Sequence, residues 1–261
     1  MRLSWKLGRV AGIDLYLHPS VLLLFLAASG AMPSGLETAV FVIALLGSIV
    51  LHELGHALTA RRYGIETADI TLYLIGGVAR LRRMPRSAGP ELLITLAGPA
   101  VNFAIAAVLG AVVGLASVVG PVPALLWQLL FLNLGLGMFN LLPIFPMDGG
   151  RILRALLSGW LGRVRATEVA ATVGRALAVV GGVAFIVNGM WLTAFLAVFV
   201  YVAAGMELIQ VRGEGRPRGG AEGFDSVPAP PVGYRWANRG DGVWRLVPIL
   251  VPVGGRDRSW S

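Results

Sequence analysis

The sequence predicts an all-α polytopic membrane protein with about six transmembrane helices and a small β-hairpin or re-entrant element between the second and the third. Three observations carry that prediction. Hydrophobic residues make up 56% of the 261-residue chain and charged residues only 14%, a balance that a water-soluble domain does not show. Six apolar stretches, near residues 16–32, 38–60, 91–118, 124–145, 169–188 and 190–210, approach or exceed the length that crosses about 30 Å of hydrocarbon. Lysine and arginine fall on alternate connections between those stretches, apart from Arg175 inside the fifth.

Taken in order, the chain starts with Arg2, Lys6 and Arg9 ahead of the first and shortest stretch. Gly12, Asp14 and His18 interrupt the approach and no small-residue cleavage site follows, so this stretch is expected to remain as a helix rather than leave as a signal peptide. His18, beside Pro19, reads as an interfacial residue. The connection 61–90 holds six arginines and 146–168 holds four, whereas 33–37 and 119–123 hold none. This asymmetry places both termini in the cytoplasm, with the protein in the plasma membrane. Glu91 and Glu207 lie near span ends, where solvation at the interface accounts for them.

Between the second and third spans, Asp69 through Leu81 is rich in strand formers, and Gly76-Gly77 divides two short runs. A small hairpin is expected there. An exposed edge of that hairpin could pair with an extended substrate through main-chain hydrogen bonds. After the last span, residues 211–261 change character. Gly213 to Gly220 has the Gly, Pro and Arg content of a flexible linker, and Asn238 to Gly242 is turn-like between two runs that could pair. The domain division is therefore 1–210 for the membrane domain and 211–261 for a cytoplasmic tail.

The second stretch carries the chemistry. His52-Glu53-Leu54-Gly55-His56 puts two imidazoles and a carboxylate into an apolar run, and intramembrane ionisable groups are costly enough to need a reason. On a helix, i and i+4 share a face, so both imidazoles can reach one Zn²⁺ while Glu53 lies beside the water that the metal activates. The chain has only three histidines, and two of them stand here. The net charge of +8 resides in short loops and the tail instead of one folded face, which argues against a nucleic-acid partner. Without cysteine there is no disulfide, no thiolate zinc ligand and no thiol nucleophile.

A third protein ligand is needed. The fourth stretch ends in Asn140-Leu-Leu-Pro143-Ile-Phe-Pro146-Met-Asp148-Gly149-Gly150-Arg151, where prolines and glycines release the backbone from the helix. Asp148 then lies at the cytoplasmic end, at the depth of His56. Alone, such an acid reads as a helix cap or a partner for Arg151 or Arg154. Beside a histidine pair short of one ligand, it reads as the third ligand.

These two motifs, with Gly98-Pro99-Ala100-Val101-Asn102 in the third span, resemble the signatures of the site-2 proteases, the M50-type intramembrane zinc metalloproteases. The resemblance covers roughly residues 8–210. It implies one Zn²⁺ per chain, held by His52, His56 and Asp148, with Glu53 as general base and Asn140 stabilising the oxyanion. Asn102 is expected to pack or to position substrate. The implied reaction is hydrolysis of a peptide bond within or near the membrane segment of a single-pass membrane protein, as in regulated intramembrane proteolysis, with lipid as the surrounding partner. The tail is too short for the paired CBS domains of many relatives, and no PDZ-like insertion is visible. A non-proteolytic zinc scaffold or a zinc transporter would use the same ligands. A transporter, however, spreads ionisable groups along a path, and here they cluster at one depth.

Overall fold

The computed structural model describes residues 4–30, 34–73, 76–82, 85, 87–214, 230–232, 234–238 and 244–248. The chain forms two compact units, Met1–Val211 and Arg212–Ser261.

The first unit opens with two strands, β1 (Trp5–Val10) and β2 (Ile13–Leu17), joined by a tight turn in which Ala11 and Gly12 take positive φ. A short helix α1 (Val21–Ser29) follows, then the long α2 (Gly35–Arg62), whose first turn is capped by Ser34 accepting from the Glu37 amide. Arg61 and Arg62 close α2 where the helix dipole favours cations, and Gly64 turns the chain with φ +68°. Strands β3 (Thr67–Tyr73) and β4 (Gly76–Leu81) lead into α3 (Ala88–Val119), α4 (Ala124–Asn140), α5 (Asp148–Leu161), α6 (Arg163–Val187) and α7 (Trp191–Glu214).

The strands form one sheet in the order β1-β2-β3-β4, antiparallel except for the parallel β2–β3 pair. The two N-terminal strands correct the all-α expectation, and they make the predicted hairpin half of a larger sheet. They are hidden in the sequence because β1 interleaves Lys6 and Arg9 with Trp5, Leu7 and Val10, without a long apolar run.

The six-span expectation is met in part. Four helices, Gly35–Arg62, Ala88–Val119, Arg163–Val187 and Thr193–Gly213, are long and apolar enough to cross a membrane, which makes this an integral membrane protein. Helix α1 has nine residues and α4 has 17, giving lengths of about 14 and 26 Å at 1.5 Å per residue, below the hydrocarbon thickness. In the first stretch the chain spends its leading residues on β2, and in the fourth Pro143 and Pro146 end the helix early.

Helix α5 lies within the connection 146–168 and adds a helix that the count of apolar stretches does not contain. Leu153, Leu156 and Leu157 recur at helical spacing among charges, and this mixture hides it from a search for apolar spans. Its approach is set by close packing. A Cβ on Gly149 would lie 2.1 Å from Leu142 O and one on Gly150 2.7 Å from Phe145 N, so only glycines let residues 141–147 fold back onto the start of α5. Phe145, fully buried, anchors that loop among Ala170, Ala171 and Ala204 of α6 and α7.

A buried ion-pair network ties the same helices together. Arg154 on α5 is inaccessible to solvent and donates to Glu91 on α3 and to Glu207 on α7, while Arg163 at the start of α6 also donates to Glu91 at 3.1 Å. This corrects the interfacial reading of Glu91, which is only 2% exposed. It also assigns Arg154 to these acids and not to Asp148.

In the second unit, β5 (Tyr234–Asn238) and β6 (Trp244–Pro248) pair antiparallel, with Trp236 opposite Leu246. Of the linker expected at Gly213 to Gly220 and the turn expected at Asn238 to Gly242, residues 215–220 and 239–242 lie outside the described residues.

Candidate metal centre and active site

Helix α2 delivers His52 and His56 on one face, and α5 delivers Asp148 from its first turn. His52 Nε2 and His56 Nε2 are 3.1 Å apart, and Asp148 Oδ2 lies 3.2 Å from the first and 3.1 Å from the second. Ligands 2.0–2.1 Å from a tetrahedral zinc ion are separated by about 3.3–3.4 Å, so this near-equilateral triangle is close to one face of such a site.

The outer nitrogens support that fit. His52 Nδ1 donates to Asn102 Oδ1 at 2.5 Å, and His56 Nδ1 donates to Ile94 O at 2.8 Å. With Nδ1 holding the proton in each ring, Nε2 is left as a lone pair aimed at the centre of the triangle. Two acceptor nitrogens and a carboxylate oxygen repel one another unless a proton or a cation sits between them. Buried donors of this chemistry fit zinc.

Asn102 is itself oriented, because its Nδ2 donates to Asn133 Oδ1 at 3.1 Å, and Asn133 donates to Leu129 O on α4. Both asparagines are buried. Asn102 therefore fixes a ring orientation, a role that packing or substrate positioning did not anticipate. An isolated asparagine in an apolar span was the available signal, and Asn133 carried the same one.

Glycine admits α3 to the centre. A Cβ on Gly98 would lie 2.3 Å from His56 Nε2 and 2.7 Å from His52 Nε2, and one on Gly55 would lie 2.7 Å from Ala97 O. At Gly55 the two helix backbones meet, and at Gly98 the α3 backbone lies against the imidazoles themselves, which brings Asn102 and Ile94 within reach of those rings. Pro99 removes one intrahelical donor at this level.

Glu53, half-buried, points to β4, where its Oε2 accepts from Ala79 N at 3.2 Å. A Cβ on Gly77 would lie 2.7 Å from Glu53 Cγ, so the strand lies against this side chain only because residue 77 is glycine. Glu53, His56, Asp148, Ala79, Glu91 and Arg151 line one cleft. Asn140 ends α4 with its side-chain amide donating to Leu136 O at 2.9 Å, one turn back on its own helix. His18 stands apart from the centre; its Nδ1 accepts from Ser20 N at 3.2 Å, and its ring lies 5.0 Å from that of Tyr73.

Comparison with known proteins agrees with this geometry. The family model described as peptidase family M50 matches residues 40–120 and 115–181. A zinc metalloprotease of Methanocaldococcus jannaschii is 39% identical over 209 residues, covering 79% of this chain and 61% of that protein, so the chain spans less than two thirds of that relative. Rip3 of Mycobacterium tuberculosis is 35% identical over 293 residues, covering 99% of this chain and 73% of its own length. Among solved structures, the site-2 protease from Methanocaldococcus jannaschii superposes with a TM-score of 0.60 at 38% identity, over 78% of this chain and 95% of that one. The histidine pair, the returning aspartate and the matched spans thus have one common explanation, and the chain belongs to peptidase family M50, the site-2 protease family of zinc metalloproteases.

Proposed function

We propose that the chain is an intramembrane zinc endopeptidase, cutting a peptide bond within or near the membrane segment of a single-pass protein during regulated intramembrane proteolysis. The observation that carries this reading is the convergence of His52, His56 and Asp148 to within 3.2 Å, with Glu53 lining the same cleft. In this reading those three residues hold the metal. Zinc, when bound, supplies Lewis acidity that brings the pKa of a coordinated water toward about 7.

The remaining steps belong to side chains. Glu53 takes a proton from the attacking water as its oxygen bonds to the scissile carbonyl carbon, and returns a proton to the amine as the C–N bond breaks. Asn140 donates from its amide to the carbonyl oxygen as that atom gains charge; one N–H is engaged by Leu136 O, and the second is available for this. Substrate must arrive extended, since a helix keeps its carbonyls bonded. β4 is an edge strand, and its Ala79 N–H already points away from β3 to Glu53, which supports recognition by strand addition at this edge. The distribution of arginine supports six crossings, with both termini cytoplasmic in the plasma membrane and the centre toward the cytoplasmic side.

Cleavage of a panel of single-span substrates in liposomes, with zinc content measured in parallel, tests the reading. The wild type should cut, and Glu53→Gln should bind zinc yet lose about 100-fold or more in kcat. Zinc binding without cleavage of any substrate would favour a scaffold, and equal cleavage by both proteins would remove Glu53 from the chemistry.

A further inference from the structure

Three acids line the catalytic cleft, and each has its partner. Glu91 is held by Arg154 and Arg163, Asp148 faces the two histidines, and Glu53 accepts from Ala79 N. The cleft's remaining charged residue is Arg151. It follows Asp148 by three positions on α5, so both side chains leave the helix on one face. Its Nε is buried without a hydrogen-bond partner, and among the described residues Arg151 forms no ion pair with Glu53, Glu91 or Asp148. A partly buried guanidinium beside three already-partnered acids is a cost unless an anion or a carbonyl comes to it.

We propose that Arg151 is a substrate-binding residue that engages the acyl side of the scissile bond and holds the new C-terminal carboxylate of the first product. The proposal rests on the protease reading, because that carboxylate arises only by hydrolysis: water's oxygen joins the carbonyl carbon, the C–N bond breaks, and the amine leaves with a proton. A guanidinium presents paired donors that match a carboxylate, and an amide in its place keeps the shape while losing the charge. Arg151 thus separates peptide acids from peptide amides, and it retains the acyl fragment while the amine fragment departs.

The test is equilibrium binding of acetyl-trileucine, as its free acid and as its carboxamide, to full-length zinc-loaded protein in detergent micelles, followed by calorimetry. The wild type should bind the acid about tenfold more tightly than the amide, and Arg151→Gln should lower that ratio about tenfold. Arg151→Lys, keeping the charge without the fork, should fall between them. Zinc content and thermal midpoint should match the wild type in both variants. An acid-to-amide ratio unchanged in Arg151→Gln, or near one in the wild type, would overturn the proposal, as would loss of zinc from both variants, which would make Arg151 a support for Asp148. Cleavage of the substrate panel is read separately. If the wild type cuts nothing yet shows the acid preference and its loss in Arg151→Gln, the protease reading fails while the anion-binding role stands.

Discussion

Replacing Gly98 with alanine adds one methyl group and, by the geometry of the site, should remove the metal. That methyl would lie 2.3 Å from His56 Nε2, 2.4 Å from its Cε1 and 2.7 Å from His52 Nε2. Carbon atoms in good contact are about 3.5 Å apart, so the His56 ring must retreat by about 1 Å. Zinc–ligand distances tolerate only about 0.2 Å. The ring has no inexpensive retreat, because its Nδ1 is bonded to Ile94 O at 2.8 Å on the very helix that carries the methyl group. Loss of an outer-shell partner alone costs 10–100-fold in metal affinity, and displacing a ligand should cost more. We expect a loss of about 100-fold or more, equivalent to about 2.7 kcal/mol. Competition with a chelator of known affinity measures it, with Gly114→Ala as the control in the same helix, where no atom lies within 4 Å of the added methyl. Both substitutions favour the helix by about 1 kcal/mol, so neither should unfold it. Zinc affinity in Gly98→Ala within threefold of wild type would refute the argument that α3 is admitted to the centre by the missing side chain.

Three further outcomes follow from named contacts. Asn102→Ala should weaken zinc binding 10–100-fold by freeing the His52 ring, while Asn102→Asp, which can still accept from Nδ1, should restore much of it; chelator competition reads both. Arg154→Met should cost about 3 kcal/mol by leaving Glu207 unpaired and Glu91 with Arg163 alone, and adding Glu91→Gln and Glu207→Gln should recover most of that in a denaturation midpoint; no recovery would mean that Arg154 acts through packing. Ala79→Pro deletes an edge-facing N–H that β3 does not use, and should cut cleavage at least about tenfold with zinc content unchanged. Full activity in that variant would end the strand-addition reading.

What was legible in the sequence was whatever depends on short-range spacing or on long apolar runs. His52 and His56 are one helical turn apart, so any helix brings them together, and Asp148 follows from depth once arginine counts order the connections. The triangle they make is visible in the structure because α5 starts where the sequence leaves the helix. What stayed hidden depends on which side chain another element meets. Glu91 reads as a solvated acid at a span end, and only the packing of α3, α5 and α6 brings Arg154 and Arg163 onto it.

The same distinction explains why the support of the site is harder to read than the site. A ligand must be histidine or aspartate, so its identity announces its chemistry. A supporting residue is defined by a distance: Gly98 by a methyl that has no room, Gly77 by a strand lying on Glu53, Asn102 by a ring nitrogen on another helix. In a bilayer this support has to come from small residues and from polar pairs that satisfy each other, because apolar side chains pack against lipid as readily as against protein. Helix α3 supplies both kinds within five positions, Gly98 at the imidazoles and Asn102 behind one of them. It thereby holds the two His rings, while α5, clamped through Arg154 to α3 and α7, holds the Asp. The centre is thus assembled by three helices whose mutual positions are fixed by contacts around the metal and not by the metal alone. On that account the ligand triangle is largely preformed, and zinc removal should leave the helices packed and the cleft ready to reload.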